Sequence, residues 1–250
     1  MSPARLSLVE SPAAERTLAE RAYRHLRQDI LSGAHEPGQR LRLNVLQQRY
    51  DLGLSPLREA LLRLSAEGLV RSEGQRGFEV APVSLSELED ITRARICLDR
   101  AALAQAIELG DADWEARIVA ANHRLARTPL PRGTDDTASA REWEAHHRAF
   151  HEALISGSGS SWLVRLHSQL VDHSERYRQA RLLHHREPVA QVRDVVAEHT
   201  QITEAVVRRD GELAVRLLSE HLQATGDAMA KFFGPQRKAA AGRRKGASPG

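Results

Sequence analysis

Apolar positions recur at helical spacing along most of the chain, and one stretch couples that spacing to the shorter period of strands. Within residues 50–80, Leu57, Ala60, Leu61, Leu64 and Leu69 share one face, while Arg58, Glu59, Arg63 and Glu67 lie away from it. The pattern predicts an amphipathic helix, with Ser55 capping its first turn, Pro56 at the first helical position and Gly68 as its stop. Residues 69–71 and 78–81 are short extended runs, and the glycines Gly74 and Gly77 with Arg76 between them predict a tight turn. Upstream, residues 43–50 form a short helix and Asp51-Leu52-Gly53 a turn of the length that helix-turn-helix units use. A further helix over 15–32 presents Leu18, Ala22, Leu26, Ile30 and Leu31 on one face, and Gly33 and Pro37-Gly38 end it. Together these elements predict a winged helix-turn-helix over 15–83. In such a unit the second helix enters the DNA major groove by its N-terminal end, which turns Arg58 toward DNA.

After a short linker the pattern is helical again, with Ser84 or Ser86 as the first cap. Six segments are predicted, over 85–109, 112–127, 138–156, 160–184, 189–209 and 211–233. Gly157-Ser158-Gly159 and Asp210-Gly211 are tight turns between them, and residues 128–137 form the one long loop. Short turns between long helices imply antiparallel neighbours. The predicted fold is therefore mostly α, an N-terminal winged helix-turn-helix followed by an all-helical antiparallel bundle over 84–234. Residues 1–14 and the low-complexity, basic segment 235–250 are expected to be disordered.

Composition narrows the class. Aromatic residues make up 4% of the 250, which suits a helical protein better than a sheet. The single cysteine, Cys97, excludes an internal disulfide and fits a reducing compartment. No apolar run approaches a membrane span and the N-terminus lacks the pattern of a signal peptide, so a cytoplasmic location is expected. The net charge of +3 owes much to the segment after Gly234, which holds five of the 36 Lys and Arg. The remaining 31 stand against 33 acids. Residues 1–81 carry 12 basic and 10 acidic side chains and residues 82–234 carry 19 and 23, as suits a DNA-binding head on an acidic body.

Histidines carry the chemistry of the second domain. His147 and His151 are four apart on one predicted helix and project from one face. His199 and His221 are equidistant from residue 210, the turn between the last two helices, each about 16 Å from it by helical rise. In an antiparallel hairpin they lie at one level. A third helix offering His147 and His151 would complete a four-imidazole site suited to zinc, nickel, copper or iron. His167, mirrored with His151 about the 157–159 turn, is a reserve ligand, and His146 points away from the partner face.

The runs PGQRL, LQQRYDLG, SPLREAL, EGLV and QRGFEV resemble the DNA-binding domain of GntR-type bacterial transcription regulators. The resemblance assigns DNA contact to Ser55, Arg58, Arg63, Arg76 and Gly77. Two departures, Gly53-Leu54 where these regulators usually carry Ser-Arg and Asn44 where some place an Arg, imply an atypical operator. Residues 91–222 are similar to the helical effector domain of the FadR branch, the FCD type, through Arg95 with Asp99, HHRAFHEAL and EHTQITEAVVRRDGELAVRLLSEHL. That similarity implies a divalent metal, zinc or nickel, bound by His151, His199 and His221, with His147 standing where the family has Asp. It also implies a small carboxylate effector clamped by Arg95 and a homodimer on a near-palindromic operator. PLREAL, ADWEA, the His-x-x-x-His pair and ERYR further resemble the carbon-starvation-induced repressor type, which implies a dicarboxylate as effector. Two other readings fit the residues: a metal-dependent enzyme built on the four histidines, and a DNA-binding structural protein whose helical part only dimerises.

Overall fold

The structure is a computed structural model, which describes residues 12–72, 74, 77–130, 137–184 and 193–243. It divides into two compact units, Met1–Pro82 and Val83–Gly250.

The first unit opens with α1 (Pro12–Leu31), three residues before its expected start at Glu15. Then come β1 (Arg40–Leu41), α2 (Leu43–Tyr50), α3 (Leu54–Ala66), β2 (Val70–Ser72) and β3 (Phe78–Val80). Ala22, Leu26 and Ile30 of α1 pack with Leu57, Leu61 and Leu64 of α3, because both stripes are spaced to fall on one helical face. The three strands form an antiparallel sheet in the order β1-β3-β2, with Arg71 opposite Glu79 and Leu41 opposite Phe78. Strand β1 was not foreseen, since two residues are too few to display a period of two. Helix α3 ends as its sequence dictates: Gly68 adopts φ +75° and the Leu69 N–H donates back to the Leu64 carbonyl at 3.0 Å.

One local expectation is corrected. Helix α3 starts at Leu54 and its cap is Gly53, with no side-chain cap hydrogen bond, so Ser55 lies inside the first turn rather than capping it. Pro56 is then third in the helix instead of first. The first-turn N–H groups have no intrahelical partner, so a proline costs no hydrogen bond there either, and its sequence position alone does not fix the start.

The second unit consists of α4 (Leu85–Leu109), α5 (Ala112–Arg127), α6 (Thr137–Ser156), α7 (Ser161–His184), α8 (Val195–Val207) and α9 (Gly211–Arg243). Helix α4 packs on α6, α7 and α9, and α5 on α6 and α8. Leu103, Trp114, Phe150, Leu154, Ile202 and Leu218 meet in the shared core. Side-chain caps set the starts: Ser84 Oγ accepts from the Glu87 N–H at 3.2 Å, Asp111 Oδ1 from Trp114 at 2.8 Å and Asp194 Oδ1 from Ala197 at 3.0 Å. Helix α8 therefore begins at Val195, not at 189, and residues 185–192 lie outside the described part. Helix α9 continues to Arg243, past the expected end at Phe233 and through part of the segment read as disordered. The alanine run after Pro235 favours continuation. Among the described residues no helix is long and apolar enough to cross a membrane.

Candidate functional site

The bundle brings His147 and His151 of α6, His199 of α8 and His221 of α9 together in its interior, each at most 4% exposed. One ring nitrogen from each lies within 4.8 Å of all the others. His199 Nε2 and His221 Nε2 are 3.3 Å apart across the α8–α9 hairpin. That separation matches the roughly 3.3 Å between ligand atoms of a tetrahedral site with bonds of about 2.0–2.1 Å. His151 Nε2 and His147 Nδ1 are buried with no hydrogen-bond partner. Trp143 stacks on His147 with ring centroids 4.7 Å apart, and Phe150 lies 4.8 Å from His199, so that side of the cluster is apolar.

Burial keeps these rings neutral. It pushes His147 down from 6.5 to about 4 against the opposing pull of Glu144, whose Oε1 lies 3.7 Å from His147 Nδ1, and pushes His151 and His199 well below the ordinary value, with the neighbouring imidazoles acting in the lowering direction. His221 is lowered less simply, because burial is opposed by Glu198. The Glu198 carboxylate sits 2.7 Å from His221 Nδ1 and also pairs with Arg193; the His221 bond, first, and Arg193 hold it down to about 2. A carboxylate on Nδ1 orients the ring and leaves Nε2 free toward the cluster, the outer-sphere arrangement of metal-binding histidines. Four neutral imidazoles with two orphaned nitrogens fit a divalent metal ion of the borderline-soft kind.

Two buried arginines flank the cluster. Arg95 on α4 is 4% exposed and its nearest acid is Asp99 Oδ2 at 3.5 Å, leaving Nε and Nη2 without an acceptor. Burial lowers it to about 10, and the charge of Arg178 adds to that. Arg178 on α7 pairs through Nε and Nη2 with Glu144, while its Nη1 has no acceptor. Burial alone would raise the Glu144 carboxyl, but Arg178 holds it well below the usual range. His167, the reserve ligand, is not in the cluster: its Nδ1 lies 2.7 Å from Asp99 Oδ1. His146 points elsewhere, with Nδ1 2.7 Å from Thr128 Oγ1. Outside the cluster, a cavity of about 330 Å³ lined by Asn122, Leu125, Trp143, Arg193 and Val196 reaches His199.

Sequence reasoning missed Glu198, Glu144 and Arg178. Adjacency to His199 hints at Glu198, but its partner is His221, 23 positions away.

In the first unit, Ser55 and Arg58 are exposed on α3, and among the described residues Arg58 has neither an ion pair nor a hydrogen bond. Arg63 is placed differently. It lies 2.8 Å from Glu20 and 3.5 Å from Glu67, over the Tyr23 ring at 3.6 Å, and so ties α3 to α1. Gly77 adopts φ +92° at the end of the wing, a region that favours glycine. Arg76 lies outside the described residues.

Comparison with known proteins agrees with both units. Residues 18–80 match the family described as bacterial regulatory proteins, gntR family, and residues 90–224 match the FCD domain. The HTH-type transcriptional regulator BphR of Paraburkholderia xenovorans is 37% identical over 217 residues, 87% of this chain and 87% of that protein. The HTH-type transcriptional repressor GlaR of Escherichia coli is 37% identical over 200 residues, 80% of this chain and 90% of that one. The solved structure of E. coli McbR/YncC superposes with a TM-score of 0.72 at 22% identity, over 86% of this chain and 98% of that one, and shares its fold. These relatives are regulators rather than enzymes, so the metal-dependent enzyme reading is set aside. The chain belongs to the GntR family of bacterial transcription regulators, with a winged helix-turn-helix that binds DNA and an effector-sensing domain of the FCD type.

Proposed function

We propose that the chain is a homodimeric repressor that senses a small carboxylate through a divalent metal ion held by His147, His151, His199 and His221. The observation that carries the sensing half is the set of buried side-chain nitrogens that make no hydrogen bond, on two of the four clustered histidines and on the two arginines that flank them. His151 Nε2 and His147 Nδ1 await a metal, and Arg95 Nε and Nη2 with Arg178 Nη1 await an acceptor. Leaving one such group unsatisfied costs about 1–3 kcal/mol, more if charged, so together they favour a bound state. Zinc or nickel suits the donor set. When bound, the ion supplies a Lewis-acidic centre for a carboxylate oxygen. Because all four histidines are neutral, nothing in the ligand set offsets the ion's double charge, and the two arginines are each already matched by one acid. A dicarboxylate balances that surplus better than a monoanion.

For the DNA half, Arg58 and Ser55 on the exposed face of α3 reach base edges or phosphates, Gly77 lies at the end of the wing with Arg76 assigned to DNA contact by the sequence, and Arg63 ties α3 to α1 at the surface. The carboxylate changes operator affinity by its differential affinity for the DNA-competent and DNA-incompetent states. The test is capture of genomic fragments by the metal-loaded protein, followed by titration of the enriched duplex with short carboxylates. Recovery of a few promoters sharing a palindrome, with binding altered by a carboxylate, is expected. Uniform recovery of fragments, or metal content unchanged in a His199→Ala, His221→Ala double variant, overturns the proposal.

A further inference from the structure

The outer face of α3 carries more than Arg58. Leu57, Ala60, Leu61 and Leu64 are buried, whereas Leu54 at the helix start, Arg58 and Leu62 are exposed at four-residue spacing. Leu54 is 51% exposed and Leu62 54% exposed. Leu54 is the first residue of the helix, beside Ser55 and one turn before Arg58, while Leu62 lies two turns further back. A single exposed leucine on a protein surface is ordinary. The position of this one is not, because the N-terminal residues of a recognition helix meet base edges in the major groove.

The geometry at Leu54 adds a second argument. Its cap, Gly53, has no side chain to offer, and a Cβ there would meet only Pro56 at 3.7 Å, so the glycine is not forced by packing. The helix therefore presents to DNA a first turn in which hydrogen-bonding side chains are missing at Gly53 and Leu54. Apolar atoms at such a position cannot pair with phosphate or with a base acceptor. One apolar group is available in the major groove: the C5-methyl of thymine, which distinguishes T·A from the other pairs.

We infer that Leu54 is a specificity-determining residue that packs its isobutyl group against a thymine methyl in the operator. The inference rests on the reading of α3 as the recognition helix. Arg58 supplies the polar contact one turn later, and Leu54 selects thymine by excluding water from the methyl. A cytosine at that position lacks the methyl, so discrimination comes from buried apolar area and not from a hydrogen bond.

The test uses the full chain and a random-sequence duplex library. Selection by the wild-type protein is expected to yield a consensus with an invariant thymine near each half-site, and the Leu54→Ala variant is expected to lose the preference at that position alone. On the selected duplex, replacing that thymine by uracil removes one methyl group. Affinity of the wild-type protein should then fall roughly fourfold, the worth of one buried methyl, and that of Leu54→Ala should not change. Putting 5-methylcytosine paired with guanine at the same position restores the methyl and should recover part of the loss relative to plain cytosine. Equal uracil sensitivity of both proteins, or no sensitive thymine anywhere, overturns the inference. A parallel selection with Arg58→Ala separates the two levels: an unchanged consensus there removes α3 as the reading helix, and this inference with it.

Discussion

At the scale of single residues, the histidine cluster makes a prediction with a definite sign. Burial, the leading cause, takes His147 from 6.5 to about 4. Between those values the unfolded chain binds a proton that the folded chain does not. Stability of the metal-free protein is therefore full above about pH 6.5 and is lost as pH falls toward about 4, with His151, His199 and His221 shifted in the same direction. Urea midpoints measured on the apo protein across that window should decline on acidification, and His147→Gln should flatten the decline. A flat profile would mean that the cluster is open to water. Arg58 makes a second prediction at this scale. Its guanidinium has no partner within the described residues, so Arg58→Ala should leave the melting temperature unchanged while weakening operator binding by about 1–3 kcal/mol at fixed salt. Arg63→Ala should do the reverse, destabilising the head through loss of its contacts to Glu20, Glu67 and Tyr23.

Helices and turns were largely legible because their signals are local. Capping by Ser84, the stop at Gly68 and the turn at Asp210 each depend on residues within one helical turn. The α8–α9 hairpin shows how far this reaches. A tight turn fixes the level of His199 against His221, and their Nε2 atoms meet at 3.3 Å. The same mirror argument applied to His151 and His167 about the 157–159 turn does not hold. Equidistance sets height along a hairpin but not rotation about each helix axis, and α7 turns His167 toward Asp99, 68 positions away in sequence. The junction of α4 and α5 gives the prediction for elements. Trp114 is buried and its Nε1 donates to the Ala153 carbonyl at 2.9 Å, and a Cβ at Gly110 would stand 2.2 Å from its ring. Gly110→Ala should thus displace the indole and destabilise the bundle by about 1–3 kcal/mol, read from chemical denaturation. A wild-type midpoint would mean that the ring is not fixed there.

On the scale of the whole molecule, each unit has a core of its own: Leu26, Leu57 and Leu61 in the first, Leu103, Phe150 and Leu218 in the second. All four clustered histidines, both buried arginines and Glu198 belong to Val83–Gly250. That segment expressed alone should fold, hold metal with the stoichiometry of the full chain and gain thermal stability from it, while binding no operator DNA. Loss of metal from the isolated segment would show that the head contributes to the centre.

What the sequence determined by itself was the order of the helices and of the two wing strands, the division into a winged head and a helical body, and the histidines as a group, since periodicity, caps and hairpin symmetry are properties of neighbouring residues. Only the tertiary structure decided the company they keep. That His221 leans on Glu198, that Glu144 is matched by Arg178, and that Arg95 and Arg178 retain unpaired N–H groups beside neutral imidazoles follow from how α4, α6, α7, α8 and α9 rotate against one another. Those rotations are set by the packing of whole apolar faces, in which no single residue carries the information.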